Sequence, residues 1–357
     1  MATAYINQIA TATPPHDVHD AYIAMTDAHL DDRRDKIVFR RMAARSGIAH
    51  RFSYFQPIMA NGAPEDGGGF YLRGQYPSTR RRMDFYEEHA PDLAMAAIGA
   101  LAFDPDGITH IVVASCTGFV APGLDQIIVR RAGLSPTVER TMVGFMGCYA
   151  GVNALRLAHH FVRSEPRARV LVVNLELCTL HLQDTQDLER LLAMMLFGDG
   201  CSATLVTAEE TGLAIDGFRA ATLPRSDELI TWRVGDQGFD MRLSGEVPKR
   251  ILEALQAEMV KNDTDGVLGG ERPDAFDAWA VHAGGRSILD AVETGFGLGA
   301  QALAASRGVL NDFGNMSSAT LMFVLARMMR GAERVANGMA MAFGPGLAAE
   351  TFRFRSA

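Results

Sequence analysis

Short apolar runs rich in β-branched residues alternate with longer segments of helical periodicity through the first part of the chain. The apolar runs predict strands at 108–116, 168–177 and 202–207. The first two runs are apolar on both faces, which is typical of strands in a sheet that is covered on both sides. The intervening segments predict helices at 150–162 and 185–197. This alternation of strand and helix favours an α/β layered fold.

The same rhythm begins again after about residue 212. Its predicted elements are a strand at 213–223, a helix at 246–261, a buried strand at 276–285, a helix at 317–330 and a strand pair around a tight turn at 338–354. Breaks rich in glycine predict a surface loop at 57–70 and a helix-to-strand connection at 262–276. Two similar α/β halves that share one core are therefore expected.

The composition is that of an ordinary globular protein, because 48% of the 357 residues are apolar and 21% are charged. A formal net charge of −8 argues against a nucleic-acid-binding protein. The four cysteines form no CxxC pair, so we expect reduced thiols and neither a disulfide framework nor a zinc site. The absence of a secretory signal and of an apolar run of ~18 residues predicts a soluble cytoplasmic protein.

Cys148 lies in the stretch "MVGFMGCYAGVNALRLA", where a β-prone run passes into a helix-prone one. A cysteine near the first turn of a helix meets free N–H groups and the positive end of the helix dipole, which favour a thiolate. The small neighbours Gly147, Ala150 and Gly151 would let a substrate carbonyl approach. The alternative is an inert cysteine that only packs in the core.

Two further polar residues stand at predicted element boundaries. His282 follows a buried strand and precedes a Gly-Gly turn, a position at which α/β folds collect reactive groups. Asn315 precedes a Ser-Ser pair that can cap the next helix, and its amide offers neutral donors for an enolate oxygen. The alternative for His282 is a core histidine whose ring nitrogens are hydrogen-bonded within the protein. The alternative for Asn315 is a loop that only caps the helix. The "AFGPGL" turn at 342–347 either presents backbone N–H groups to a carbonyl or merely joins two strands.

The motifs "GCYAG", "FGDG", "VHAGGRSILDAVE", "GNMSSAT" and "AFGPGLAAET" occur in this order across nearly the whole chain. In combination they resemble the type III polyketide synthases, the chalcone synthase-like family, and more specifically its bacterial branch. The resemblance implies a thiolase fold, in which two duplicated αβαβα halves form five layers, and a homodimer. Residues 1–212 would form the half with the cysteine, and residues 213–357 the half with the histidine and asparagine.

The resemblance also implies an acyltransferase that uses acyl-CoA and malonyl-CoA, needs no acyl carrier protein, and contains neither metal nor redox cofactor. Cys148 would hold the starter and the growing chain as a thioester. His282, as an imidazolium, would stabilise the Cys148 thiolate. Together with Asn315 it would stabilise the enolate formed from malonyl-CoA. The loop of Phe343, Gly344, Pro345 and Gly346 would serve as an oxyanion or cyclisation loop.

Further positions take their expected roles from the same resemblance. Phe197 matches a gatekeeper phenylalanine between the CoA tunnel and the cavity, whereas Met241 stands where the plant enzymes have a second one. Ala121 replaces a methionine that reaches across the plant dimer. The other residues expected to line the cavity are Cys116, Cys178, His181 and Trp232. Arg41 and Arg45, with Arg40 beside them, are expected to contact the CoA phosphates.

We expect an aliphatic acyl-CoA starter, extended two or three times with malonyl-CoA and cyclised to a pyrone or to a resorcinol- or phloroglucinol-type ring. Trp232 fills space where the plant enzymes have glycine, which disfavours a bulky aromatic starter, while Met241 and Ala121 leave room for a flexible chain. The nearest alternative is a ketoacyl-ACP synthase III, which has the same fold and triad. A non-catalytic thiolase-fold scaffold is the alternative of another class.

Overall fold

The computed structural model describes residues 2–60, 63–261, 264–331 and 333–357. The strands of this part of the chain are β1 (Ala4–Ala12), β2 (His16–Asp17), β3 (Phe52–Ser53), β4 (Pro57–Ala60), β5 (Ala63–Asp66), β6 (His110–Ser115), β7 (Glu139–Gly144), β8 (Val170–Leu177), β9 (Asp199–Thr207), β10 (Leu213–Thr222), β11 (Ile230–Gly235), β12 (Gly238–Leu243), β13 (Ala278–Val281), β14 (Gly338–Gly344) and β15 (Ala348–Ser356). The helices are α1 (His19–His29), α2 (Arg33–Ala43), α3 (Thr79–Gly99), α4 (Leu124–Arg131), α5 (Ala150–Ser164), α6 (Leu188–Leu196), α7 (Val247–Lys261), α8 (Arg286–Phe296), α9 (Ala304–Phe313) and α10 (Thr320–Arg330).

Nine strands form one sheet in the order β13-β14-β15-β10-β1-β9-β8-β6-β7. Counting outward from the central antiparallel pair β1–β10, both sides repeat the same pairings: antiparallel, antiparallel, then parallel. On one side these are β1-β9-β8-β6, and on the other β10-β15-β14-β13. The predicted duplication of α/β structure is therefore visible in the topology.

Helices α5 and α10 lie in the middle of the molecule, where their apolar faces join strands of both sides in one core cluster. Helices α3 and α4 cover the outer face of the β6–β9 side. Helices α7, α8 and α9 cover the outer face of the β13–β15 side. The result is the layered α/β arrangement expected from the sequence.

The elements predicted from periodicity are all present, with shorter bounds at several ends. The helix predicted at 185–197 begins at Leu188, because the Asp187 side chain caps it by accepting from the N–H groups of residues 189 and 190. The strand predicted at 276–285 ends at Val281, since the chain turns tightly after His282.

Other parts of the chain correct the sequence-based reading. The loop predicted at 57–70 contains the β4–β5 hairpin, and its residues 61–62 lie outside the described part, as do 262–263 of the second break. The β11–β12 hairpin was not predicted. None of the helices described is long and apolar enough to cross a bilayer. All four cysteines are free thiols in this structure.

Candidate active site

Cys148 stands on a short 3-10 turn, Gly147–Tyr149, between the end of β7 and the start of α5. The residue that follows β7, Phe145, has a φ of +57°, which costs energy for a residue with a side chain and is typical of functional turns. The thiol is almost completely buried, with 8% of the residue exposed. The sequence-based placement of Cys148 at a helix start is therefore confirmed.

The glycines around Cys148 let neighbouring segments pack closely against its turn. A Cβ on Gly147, whose φ is +77°, would lie 2.5 Å from Cδ of Pro345. A Cβ on Gly151 would lie 2.6 Å from the carbonyl oxygen of Ser318. Neighbouring segments therefore occupy the space beside Gly147 and Gly151, while Gly147 also lines the cavity that contains the thiol, so the approach of a carbonyl there stays a prediction.

The Gly-Pro-Gly turn packs directly on the Cys148 turn. A Cβ on Gly344 would meet the Tyr149 ring at 2.6 Å and the backbone nitrogen of Cys148 at 3.4 Å. Phe343, Gly344 and Pro345 all face the cavity that contains the thiol. Gly346 takes a φ of +71° and does not line that cavity, so its role is to let the turn close.

His282 follows β13 directly and is buried. Its backbone N–H donates to the carbonyl of Met341 at 2.8 Å, which ties the residue to β14. Neither nitrogen of its ring has a hydrogen-bond partner among the described residues. An imidazole with two unpaired nitrogens inside a cavity is free to bind a ligand, which argues against the alternative of a satisfied core histidine.

Asn315 is held at both ends of its side chain. Its Nδ2 donates to the carbonyl oxygen of Gly284 at 3.2 Å, and its Oδ1 accepts from the N–H of Ser317 at 2.8 Å. Because a carboxamide has two N–H donors, the second one can reach the Cys148 thiol or a ligand in its place. The backbone of Asn315 also forms a parallel bridge with Phe197, so this asparagine and the predicted gatekeeper are positioned together.

One cavity of about 540 Å³, counting the space open to solvent, brings most of the predicted site residues together. Its lining includes the three predicted catalytic residues, Cys148, His282 and Asn315. It also includes Cys116, Phe197, Trp232, Met241, Phe343, Gly344 and Pro345. Residues from both halves of the chain therefore meet in this cavity, although the sequence separates them widely.

A second and larger cavity adjoins the first, with about 1060 Å³ of space including its open mouth. The residues that line both cavities are Cys116, Phe197, Trp232, Met241 and Ser317. Cys178 and His181, predicted for the catalytic cavity, line only this second one, where mostly apolar atoms form the walls. It extends from Thr179 towards Tyr22 and Met25 of α1.

His181 is a fully bonded residue of the cavity wall. Its Nε2 lies 2.7 Å from the carbonyl oxygen of Thr117, and its Nδ1 accepts from the N–H of Phe239 at 3.0 Å. Its ring stacks on Phe239 with a centroid separation of 4.1 Å. Burial lowers the pKa of His181 to about 3, so it stays neutral and shapes the wall.

Two residues near the thiol, Ser317 and Glu176, were not identified as site residues from the sequence. The Ser317 hydroxyl lies 3.6 Å from Sγ of Cys148 and 3.4 Å from Sγ of Cys116. Behind it, Glu176 accepts hydrogen bonds from the Cys116 N–H at 2.9 Å and from the Ser318 hydroxyl at 2.5 Å. The sequence did offer one signal for Glu176, because it is the single acidic residue in the apolar strand "LVVNLEL".

The electrostatics of the thiol and the imidazole oppose charge separation. Burial, reinforced by the negative charge of Glu176, raises the pKa of Cys148 to about 11, although donors from Ser317 and Asn315 act in the other direction. Burial lowers the pKa of His282 to about 3. In this cavity desolvation therefore favours a neutral thiol and a neutral imidazole, and it acts against the thiolate–imidazolium pair expected from the sequence.

The predicted CoA-binding arginines lie on the surface rather than in either cavity. Arg40 is engaged with the Asp27 carboxylate through two hydrogen bonds of 2.5 and 2.7 Å. Arg41 and Arg45 are exposed. The carbonyl of Arg45 accepts from Arg286, which directly follows the Gly284–Gly285 turn at the catalytic cavity. Ala121 is also exposed and lines neither cavity.

Comparisons with known proteins agree with this geometry. Residues 2–210 match the family of chalcone and stilbene synthases, N-terminal domain, and residues 217–357 match the C-terminal domain of that family. The Mycobacterium tuberculosis protein "Alpha-pyrone synthesis polyketide synthase-like Pks18" is 33% identical over 369 aligned residues, which cover 98% of this chain and 91% of that protein.

Two further relatives come from different sources. Bisdemethoxycurcumin synthase of Oryza sativa subsp. japonica is 34% identical over 371 aligned residues, covering 96% of this chain and 90% of that protein. A solved structure of a CsyB mutant complexed with CoA-SH superposes with a TM-score of 0.86 and 25% identity over 99% of this chain and 100% of that chain. The chain thus belongs to the chalcone and stilbene synthase family and is a type III polyketide synthase, an acyltransferase of the thiolase fold.

Proposed function

We propose that this enzyme loads an aliphatic acyl-CoA starter onto Cys148 and extends it with malonyl-CoA by decarboxylative Claisen condensation. The observation that carries the proposal is the large apolar cavity that adjoins the Cys148 cavity. A flexible chain attached to Cys148 would extend past Cys116 and Trp232 into it. Burial of each CH₂ group there is worth about 0.8 kcal/mol, so the cavity would give a strong preference for aliphatic chains.

In the loading step, His282 takes the proton from the Cys148 thiol while Sγ attacks the thioester carbonyl of the starter. A neutral imidazole with unpaired nitrogens is suited to this role, whereas a pre-formed imidazolium is not. The carbonyl–sulfur bond of the starter thioester breaks. The departing CoA thiolate then takes up the proton that His282 carries. The products are acyl-Cys148 and CoA-SH.

In the extension step, the second N–H of Asn315 and a donor from His282 bind the thioester oxygen of malonyl-CoA. As CO₂ leaves, negative charge develops on this oxygen, and donors already held in place stabilise it. The enolate carbon then attacks the Cys148 thioester, forming a carbon–carbon bond and releasing the Cys148 thiolate. Loss of CO₂ drives the step, so the reaction balances without a redox or metal cofactor.

Cyclisation of the extended chain would give a pyrone or a resorcinol- or phloroglucinol-type ring. The relative whose name includes alpha-pyrone synthesis supports a pyrone. Gly344 and Pro345, packed on the Cys148 turn, would hold the reacting end of the chain in a bent conformation. Met241, a flexible thioether where the plant enzymes have phenylalanine, would allow the bend.

The remaining expectations form part of the same proposal. Arg41 and Arg45 would bind the CoA phosphates at the mouth near Gly284, and the boundary between the halves would lie at residues 212 and 213. We also propose a cytoplasmic location and membership of the bacterial branch.

A homodimer is proposed from the edge of the main sheet. Strand β7 is the last strand in the sheet order and therefore has unpaired backbone groups along one side. Phe119, Met142 and Met146, on or near this edge, are each more than a third exposed. An edge strand with exposed apolar side chains is usually covered, and a second copy of the chain would cover it here.

One assay tests the function. The enzyme is incubated with malonyl-CoA and octanoyl-CoA without any carrier protein, and the products are identified by mass spectrometry. We expect cyclised products that contain the starter. Activity only with malonyl groups on a carrier protein would indicate a ketoacyl-ACP synthase III, and inactivity with every thioester would indicate a scaffold.

A further inference from the structure

Three potential metal ligands converge at the end of β6 and β7 that lies away from Cys148. His110 is the first residue of β6, Glu139 is the first of β7, and Glu165 immediately follows α5. One ligand atom from each lies within 4.8 Å of the other two. The parallel register of β6 and β7 pairs His110 directly with Glu139, so the fold itself sets this arrangement.

The imidazole of His110 is held so that Nε2 is available as a ligand. The side chain is only 3% exposed and stacks on Phe161 with a centroid separation of 4.6 Å. Its Nδ1 lies 2.8 Å from the Thr109 hydroxyl, which also contacts the N–H of Arg169 at 2.9 Å and the carbonyl oxygen of Arg169 at 3.3 Å. A hydroxyl has one hydrogen, so all three contacts are satisfied when Nδ1 carries the imidazole proton.

The protonated Nδ1 leaves a lone pair on Nε2. The Glu139 carboxylate lies 3.8 Å from this nitrogen, which is beyond hydrogen-bond distance. Metal-bound histidines have this arrangement, in which the other ring nitrogen donates to an oxygen that fixes the ring. The buried ring therefore presents an unpaired nitrogen to two carboxylates.

The two carboxylates also lack a counter-cation. Within the part of the chain that the structure describes, no lysine or arginine lies within ion-pair distance of Glu139 or Glu165. Glu165 caps the C-terminus of α5, where the helix dipole places partial negative charge. Two acids and a helix C-terminus concentrate negative charge at one place, which attracts a cation.

We propose that His110, Glu139 and Glu165 bind one divalent transition-metal ion of the zinc class, with water completing its coordination. One imidazole and two carboxylates are ligands that zinc accepts, at about 2.0–2.2 Å. The carboxylates must rotate towards the ion, and Glu139, 72% exposed, is free to do so. The ion would connect the beginning of β7 with the end of α5, the two elements between which Cys148 stands. Its role is to stabilise that framework.

Metal binding is tested on the full chain in a Cys148→Ala background, after chelator treatment, so that the reactive thiol cannot bind the metal. Co²⁺ is titrated as a spectroscopic probe and Zn²⁺ by calorimetry. We expect one ion per chain, a visible Co²⁺ spectrum without a thiolate charge-transfer band, and a rise in Tm of about 3 °C at a hundred-fold excess of Zn²⁺ over its Kd.

Glu139→Gln and Glu165→Gln keep the shape of exposed side chains and should each weaken Zn²⁺ binding by at least about tenfold. His110→Ala should abolish it, and if that buried substitution prevents folding, the two glutamine variants decide. His160→Ala, which removes an exposed histidine outside the cluster, should change nothing. Absence of saturable binding, or unchanged affinity in both glutamine variants, overturns the proposal.

Discussion

Trp232 and Met241 lie directly opposite each other on the β11–β12 hairpin, and both side chains line the catalytic cavity and the larger apolar cavity beside it. The indole Nε1 donates to the carbonyl oxygen of Cys116 at 2.7 Å, which fixes the ring. Met241 has no such bond among the described contacts, and its thioether is free to change rotamer. A fixed ring and a flexible side chain thus form part of the partition between the two cavities.

Trp232→Ala should enlarge the catalytic cavity and merge it with its neighbour. Removal of the indole takes away the bulk that disfavours aromatic starters, so kcat/KM for coumaroyl-CoA should rise about tenfold relative to octanoyl-CoA. Steady-state kinetics with both starters measure this ratio. Val234→Ala, an exposed position on the same strand, is the matched control. An unchanged ratio would show that Trp232 does not determine which starters the enzyme accepts.

Cys148→Ala should abolish polyketide formation and the site of iodoacetamide inactivation, because no other thiol stands on the turn between β7 and α5. Some decarboxylation of malonyl-CoA should persist, since His282 and Asn315 remain. Intact-protein mass spectrometry after incubation with the starter shows whether an acyl group is attached. Cys201→Ala, a buried cysteine outside both cavities, should still be acylated. Normal product from Cys148→Ala would rule out this mechanism.

His282→Ala and Asn315→Ala should each slow malonyl-CoA decarboxylation by about 10²-fold or more, because each removes a donor to the developing enolate. Release of labelled CO₂ measures this step without condensation. His160→Ala serves as the histidine control, and thermal unfolding shows whether each variant folds. A change confined to the KM of the starter would mean that the two residues only shape the binding site.

The alkylation rate of Cys148 should rise steeply with pH. Its pKa is raised by burial, so below that pKa the reactive thiolate increases about tenfold for each pH unit, or about a hundredfold between pH 7 and 9. Iodoacetamide inactivation, followed at several pH values, measures this slope. A flat rate over the same range would indicate that Cys148 and His282 form an ion pair in the free enzyme.

The sequence predicts those parts of this protein that local pattern controls. Alternating strand and helix signals, with five motifs in order, led to the fold and to Cys148, His282 and Asn315. It does not show contacts made across the chain, such as the close packing of Pro345 against Gly147. The thiolate expectation used the helix start and left out burial, which raises the pKa of Cys148 and lowers that of His282.

The β11–β12 hairpin was missed because exposed polar residues interrupt its apolar pattern, although it carries Trp232 and Met241. Ser317 was read only as a capping residue, because its approach to two thiols depends on the packing of separate segments. The convergence of His110 with two glutamates had no spacing signature at all. Tertiary contacts of this kind can be identified only in the folded structure.

The most direct measurement of the central claim is kcat/KM for a series from hexanoyl- to palmitoyl-CoA, compared with coumaroyl-CoA, benzoyl-CoA and malonyl-CoA alone. If the apolar cavity beside Cys148 holds the starter, kcat/KM should rise along the aliphatic series until the chain fills the cavity, and every aromatic starter should be poorer. A higher kcat/KM for coumaroyl-CoA, or efficient use of malonyl-CoA as both starter and extender, would contradict the account.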